Sequence, residues 1–124
     1  MIKLKNEQFE NEAFIDALRK IYKQDSFSPR VAYQLNVVYK ELERRNLSYL
    51  EVKNVVIQKY SVKEDDSVII PKENVEKYNS DMRELLDTEF EVPFEKIPYA
   101  DGMKLSAADI EALSPVIDFT ALEV

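Results

Sequence analysis

Hydrophobic positions fall mostly at helical spacing, and the longest such run lies in the middle of the chain. Val31, Leu35, Val38, Leu42, Arg45, Tyr49, Val52 and Val56 follow one another at intervals of four and three residues, a heptad seam with one charged interruption at Arg45. A second stripe of Ala32, Tyr39, Asn46, Leu50, Lys53, Ile57 and Tyr60 broadens it. Ser28 and Pro29 open the run. A serine oxygen accepts from the free N–H groups of a first turn, and proline has no N–H to waste there. The spacing predicts one amphipathic helix over 28–60, a rod of roughly 48 Å. Asn46-Leu47-Ser48 is its weak point, where a break into two shorter helices is the alternative. A rod this long exceeds what the rest of so small a chain covers, so part of the seam is expected to meet a partner.

Before the rod, Ile2 and Leu4 alternate with Lys3 and Lys5, the pattern of a short edge strand blunted by lysines. Asn6 to Asn11 is polar and reads as a turn. Phe14, Leu18, Ile21 and Tyr22 share one face of a helix predicted over 12–23, with Arg19, Lys20 and Lys23 near its C-terminus, where cations suit the helix dipole. After the rod, 61–67 reads as an exposed acidic turn, and Val68-Ile69-Ile70 as a short β-prone run. Val75, Tyr78, Met82, Leu85 and Leu86 predict a helix over 72–87, and its matching spacing predicts an antiparallel hairpin with the rod. Phe90, Val92 and Phe94 alternate with Glu91, Pro93 and Glu95, a strand that Pro93 confines to an edge. Residues 97–102 continue as a loop. Ser106, with Asp109 three places on, predicts a capped helix through Leu113. Ser114-Pro115 repeats the serine–proline start of 28–29, for one more turn over 116–119, and the tail 120–124 either frays or docks. The fold class is therefore mainly α, α+β at most. It comprises a long antiparallel helical hairpin, an N-terminal helix, short C-terminal helices, and a small two- or three-stranded sheet from 2–5, 68–70 and 90–94, all in one domain over 1–124.

Composition narrows the chemistry. A single glycine, Gly102, argues against sandwiches and barrels, which consume glycine in tight turns, and leaves no loop to cradle phosphate. The chain has no cysteine and no histidine, so disulfides, thiolate metal sites and Ser-His or Cys-His nucleophiles are excluded. No apolar run approaches the roughly 20 residues of a membrane span, and the N-terminus lacks a signal-peptide core. The expected address is the cytoplasm, with no membrane contact.

Net charge is −7 but divided. Residues 1–63 hold 12 Lys/Arg and 8 Asp/Glu, net +4, whereas 64–124 hold 5 and 16, net −11. Either the two halves fold against each other, or copies attract head to tail. A nucleic-acid partner is disfavoured at this net charge, because Lys40, Arg44, Arg45, Arg19, Lys20 and Lys23 form the only basic clusters.

No catalytic residue, metal ligand or cofactor site is expected. Ser28, Ser106 and Ser114 are explained by capping. Glu64-Asp65-Asp66 reads as a solvated turn rather than a cation site. Glu51-x-Lys53 matches the tail of a nuclease motif but lies within a helix. Arg44, Arg45, Tyr39 and Tyr49 are the interaction or ligand candidates. Arg45 either snorkels along the seam to an acid of the following helix such as Glu84, or is a buried guanidinium set to receive an anion. Tyr33, Tyr39, Tyr49 and Tyr60 serve either as core residues with a wet tip or as stacking and interface groups.

Ile70-Pro71-Lys72-Glu73-Asn74-Val75, Tyr78-Asn79 and Glu84 to Val92, following a long helix that ends in Lys59-Tyr60, resemble a group of small proteins encoded by bacteriophages and prophages. The resemblance covers most of 28–113, including Ser106-Ala107-Ala108-Asp109-Ile110. It implies a phage context, in the bacterial host cytoplasm or in a virion, and a binding or assembly role, with no catalytic residue. The expected function is non-enzymatic. The chain self-associates and binds a phage or host protein, as a virion-assembly component or a modulator of a host protein. The alternative is an oligomeric sponge that sequesters an anionic nucleotide signal of host defence. A carboxylate-and-metal enzyme ranks last.

Overall fold

The computed structural model of the 124-residue chain describes residues 1–100 and 102–120. Strand β1 (Ile2–Lys5) leads through a 3-10 helix (Asn6–Glu10) to α1 (Glu12–Tyr22) and α2 (Pro29–Tyr60). Then come β2 (Val62–Glu64), β3 (Ser67–Ile69), α3 (Lys72–Asp87), β4 (Glu89–Val92), β5 (Ile97–Pro98), α4 (Ala107–Leu113) and β6 (Ile117–Asp118). The mainly helical class and the α2–α3 hairpin stand as the spacing predicts.

Local chemistry explains the helix boundaries. The Asn11 side chain accepts from the Phe14 N–H at 3.3 Å to start α1, which ends at Tyr22 with Lys23 as its cap. Ser28 Oγ accepts from Val31 N–H ahead of Pro29. Helix α2 runs unbroken through Asn46-Leu47-Ser48, so the alternative of two shorter helices is not what the chain adopts. Helix α4 carries a full capping box. Asp109 N–H donates to Ser106 Oγ at 3.1 Å, and Ser106 N–H donates to Asp109 Oδ2 at 3.0 Å. That carboxylate also accepts from Lys20 Nζ at 2.6 Å, tying α4 to α1. Ser106→Ala is expected to cost about 1 kcal/mol, read as a lower urea midpoint, whereas Ser106→Asp keeps an acceptor and most of the stability.

The strands differ most from expectation. Among the described residues they form three separate two-stranded sheets, not one. β1 pairs antiparallel with β4 in the register Ile2↔Val92, Lys3↔Glu91, Leu4↔Phe90, Lys5↔Glu89. Ile2 and Leu4 are buried beneath the sheet while both lysines stay exposed. The 61–67 segment is not a simple turn. β2 and β3 form a hairpin whose two-residue loop puts Asp65 at φ 55, a conformation aspartate tolerates in place of glycine. Residues 97–99 are not a plain loop, and 116–119 do not make another helical turn, because β5 and β6 pair in parallel there. Among the described residues α4 is the one C-terminal α-helix, where two short helices were expected. The segment 6–10 is a 3-10 helix rather than an irregular turn. The tail at 121–124 lies outside the described residues.

The core gathers α1 (Phe14, Ala17, Leu18, Ile21), the first half of α2 (Leu35, Val38, Leu42), Ile2, Leu4 and Val92 of the terminal sheet, and Ile97, Met103, Leu113, Val116 and Ile117. Gly102 lies at the edge of this body with φ +96, beside Ser26, whose hydroxyl donates to the Gly102 carbonyl at 3.1 Å. A side chain there would be strained whatever the space. Ion pairs join the two halves: Lys3 with Glu89, Lys20 with Asp109, and Lys59 with Asp81. The opposed charges of the halves thus meet within one chain.

Candidate functional site

The contribution of α2 to the core cluster stops at Leu42. Farther along α2 only Tyr49 is buried, and from 50 to 81 no residue is buried at all. This stretch comprises the end of α2, the β2–β3 hairpin and most of α3. It is a two-helix arm leaving the body. Along it Tyr49 is buried and Lys53, Val56, Ile57 and Tyr60 are half-buried, whereas Val52 of the predicted seam is exposed. Tyr60 OH donates to Asp81 Oδ2 at 2.6 Å, and Asn74 Nδ2 donates to the Tyr60 carbonyl at 3.1 Å, fastening the two helices near the tip.

The arm is apolar where it should be wet. Twelve large hydrophobic side chains are exposed among the described residues, and eight of them are Leu47, Leu50, Val52, Val55, Val62, Val68, Ile69 and Val75. Val55 is 62% exposed and Val68 65%. Single exposed hydrophobics are ordinary, and here eight of them fall between 47 and 75, on α2, the β2–β3 hairpin and the start of α3. The sequence carried a sign of it: Leu47 and Val55 are apolar yet belong to neither stripe of the helix. An element apolar on more than its packed face has more than one face to cover.

The four candidate residues do not converge on one point. Arg44 and Arg45 share a single carboxylate. Arg44 Nη2 lies 2.6 Å and Arg45 Nε 3.0 Å from Glu41 Oε1. The Arg44 hydrogen bond, followed by that of Arg45, holds the Glu41 carboxyl below its ordinary value. Arg45 does not reach Glu84. It lies over the Phe90 ring, 5.9 Å from its centroid, and Nη2 approaches the Glu91 carbonyl at 3.5 Å. A glutamate four residues upstream is nearer along the same helix than any acid of α3. Tyr39 stacks on Tyr22 of α1 with centroids 4.0 Å apart. Tyr49, 2% exposed, donates to Glu10 Oε2 at 2.6 Å and stacks on Phe9. Burial, then the Glu10 bond, pushes its hydroxyl above the ordinary value. Arg45 and Tyr49 line one shallow cleft of about 280 Å³ with Val52 and Leu85. Tyr39 lines another of about 110 Å³, and Arg44 lines neither. A broader concavity, about 750 Å³, opens beside Lys3, Lys5, Glu7, Gln8 and Glu10, where charges of both signs select no one ligand.

Glu10 accepts from both Tyr49 OH and Lys53 Nζ, the latter at 2.7 Å, and clamps the 3-10 helix to the root of the arm. Lys53 first, and Tyr49 next, hold the Glu10 carboxyl below its ordinary 4.5. Glu41 is lowered likewise, and Lys20 does the same chiefly for Asp109. Depressed carboxyls bind fewer protons folded than unfolded at low pH. Their stabilisation is therefore complete above the ordinary carboxyl values and lost as pH falls through the depressed ones. Urea midpoints are expected to hold from pH 7 to 5 and fall toward pH 3, with a shallower fall in Glu10→Gln. A flat profile down to pH 3 would remove this clamp from the account.

Glu64, Asp65 and Asp66 are exposed at the arm's tip, and among the described residues no three carboxylates group closely enough to hold a metal ion. No helix among them is long and apolar enough to cross a membrane. The chain matches no known family model, no curated protein and no solved structure.

Proposed function

We propose that this chain is a non-enzymatic protein that works by binding protein, copies of itself included, through the arm at 47–75. One observation carries the reading: this element has no buried residue from 50 to 81, yet holds eight exposed large hydrophobic side chains. Water-exposed apolar surface of this extent is stabilised when another apolar surface covers it. The resemblance of 28–113 to small phage and prophage proteins suggests the setting, a bacterial host cytoplasm or a virion, and a role in virion assembly or in modulating a host protein. The sponge reading is weaker, because Glu41 already engages both guanidinium groups that an anionic nucleotide would need.

Native mass measurement of the full chain, purified from bacteria in which it is made, separates these readings. Added mass equal to whole polypeptides is the expected result. An adduct of a few hundred daltons per chain, with no protein partner, would replace protein binding by ligand sequestration.

A further inference from the structure

The terminal sheet has two outer edges, and only one is closed. Asn6 N–H donates to the Thr88 carbonyl at 3.0 Å, continuing the register Leu4↔Phe90 and Ile2↔Val92. In an antiparallel ladder such bonded pairs alternate with pairs whose N–H and C=O groups point outward. Lys3↔Glu91 and Lys5↔Glu89 are therefore the outward pairs. On the β4 side, Arg45 Nη2 donates to the outward Glu91 carbonyl at 3.5 Å, and α2 packs alongside. On the β1 side, the Lys5 carbonyl turns into the 3-10 helix, as the carbonyl of a capping residue does. Lys3 N–H, Lys3 C=O and Lys5 N–H have no hydrogen-bond partner among the described residues. Lys3, Leu4 and Lys5 line a concavity of about 750 Å³ to which β4 contributes no residue, so it lies on this open side.

We propose that the open edge of β1 is a strand-addition site, which takes an extended segment of another protein that alternates acidic and apolar residues. The inference does not rest on the reading of the arm. Unpaired edge groups are a template for a further strand, and main-chain hydrogen bonds supply the affinity of such recognition.

Side chains then choose among strands. Lysines ordinarily blunt an edge, but Lys3 leans to Glu89 at 3.5 Å and Lys5 to Asp87 at 4.0 Å, both toward the β4 side of the sheet. Residues directly opposite each other in a sheet share a face. A third strand in register thus places its residues opposite Lys3 and Lys5 on the exposed face, where acids pair with lysine. Its residue opposite Leu4 falls on the buried face, toward a concavity that Leu86 and Pro115 also wall. β4 already meets β1 with this pattern, as Glu89-Phe90-Glu91-Val92. The same rule disfavours a second copy of the chain. Two β1 edges that shared their apolar face would set lysine against lysine, and like charges directly opposite are destabilising.

Amide hydrogen exchange of the full chain, followed by NMR, reads the edge residue by residue. In the free chain the Leu4 amide is expected to exchange slowly, and those of Lys3 and Lys5 freely. A synthetic peptide, Thr-Glu-Val-Glu-Val-Thr, is expected at saturation to slow the Lys3 and Lys5 amides by about tenfold or more. The peptide Thr-Lys-Val-Lys-Val-Thr is expected to bind about tenfold more weakly. Lys3→Pro removes the outward N–H and spares the ladder to β4. It is expected to weaken the acidic peptide about tenfold relative to Lys3→Thr, which keeps the N–H, with unchanged circular dichroism. Backbone N-methylation of the acidic peptide is expected to abolish binding, and it requires no variant of the protein to fold. Lys3 and Lys5 amides already protected in the free chain, or unprotected at every peptide concentration, overturn the proposal. Binding that survives N-methylation, or that prefers the lysine peptide, overturns it as well. Protection that grows with protein concentration alone would give the edge to a second copy and overturn the choice of partner.

Discussion

Phe14→Ala is expected to cost about 3–5 kcal/mol, much of the total stability of about 5–15 kcal/mol usual for a domain. Phe14 is wholly buried on α1, within the cluster that joins α1, α2, the β1–β4 sheet and the C-terminal elements. Removing its ring subtracts the largest of the fully buried side chains and leaves a cavity that four different elements would have to collapse to fill. The Asn11 cap and the backbone of α1 survive the change, so the loss reports packing alone. Urea unfolding measures it, with Leu47→Ala as the comparison. Leu47 is 58% exposed, and its truncation in the monomer is expected to move stability by no more than about 0.5 kcal/mol. A Phe14→Ala cost below about 1 kcal/mol would mean that α1 is not docked as described.

Ser48→Pro is the second large effect, about 3 kcal/mol or more. Ser48 is an exposed residue well inside α2, at the junction between body and arm. Proline there removes an N–H bond to the carbonyl four residues back, and its ring collides with that carbonyl. Beyond Tyr49 no residue up to 81 is buried, so the arm's attachment depends on helix continuity and on Tyr49, Lys53 and Glu10. The substitution is expected to lower helical circular dichroism and to expose the arm to proteolysis before the body. Ser48→Ala, by contrast, adds a few tenths of a kcal/mol through helix propensity. A negligible cost for proline would show that the helix is already interrupted at Asn46-Leu47-Ser48.

These two positions mark where reading the sequence succeeds and where it stops. Helix starts at Ser28-Pro29 and Ser106, and the buried positions Phe14, Leu18 and Ile21 of α1 and Met82 of α3, were legible because capping and i, i+4 contacts are made by residues close in the chain, whereas Tyr22 and Val75 of the same predicted faces are exposed. Phe14 and Leu18 could be placed in a core from spacing alone. Strand partners could not. Ile2 meets Val92 only because the intervening chain folds back, and nothing in the short alternation of β1 names its mate. β5 and β6 are two residues each, too short to show a period, so 97–99 read as loop and 116–119 as helix. Arg45 shows the same limit at one side chain. Its place on the seam was legible, but Glu41, Glu91 and Phe90 became its neighbours through the geometry of α2 and the position of β4.

The sequence by itself determined that this chain is built on a long amphipathic helix, that the helix over 72–87 returns against it, and that histidine and cysteine chemistry is absent. Those properties are local or compositional. Only the tertiary structure decided which part of the long helix is covered. A heptad pattern identifies the side of a helix that favours burial, but whether anything lies against that side depends on where every other element ends. Here the contribution of α2 to the core cluster ends at Leu42, and Leu47, Leu50, Val52 and Val55 beyond it are exposed.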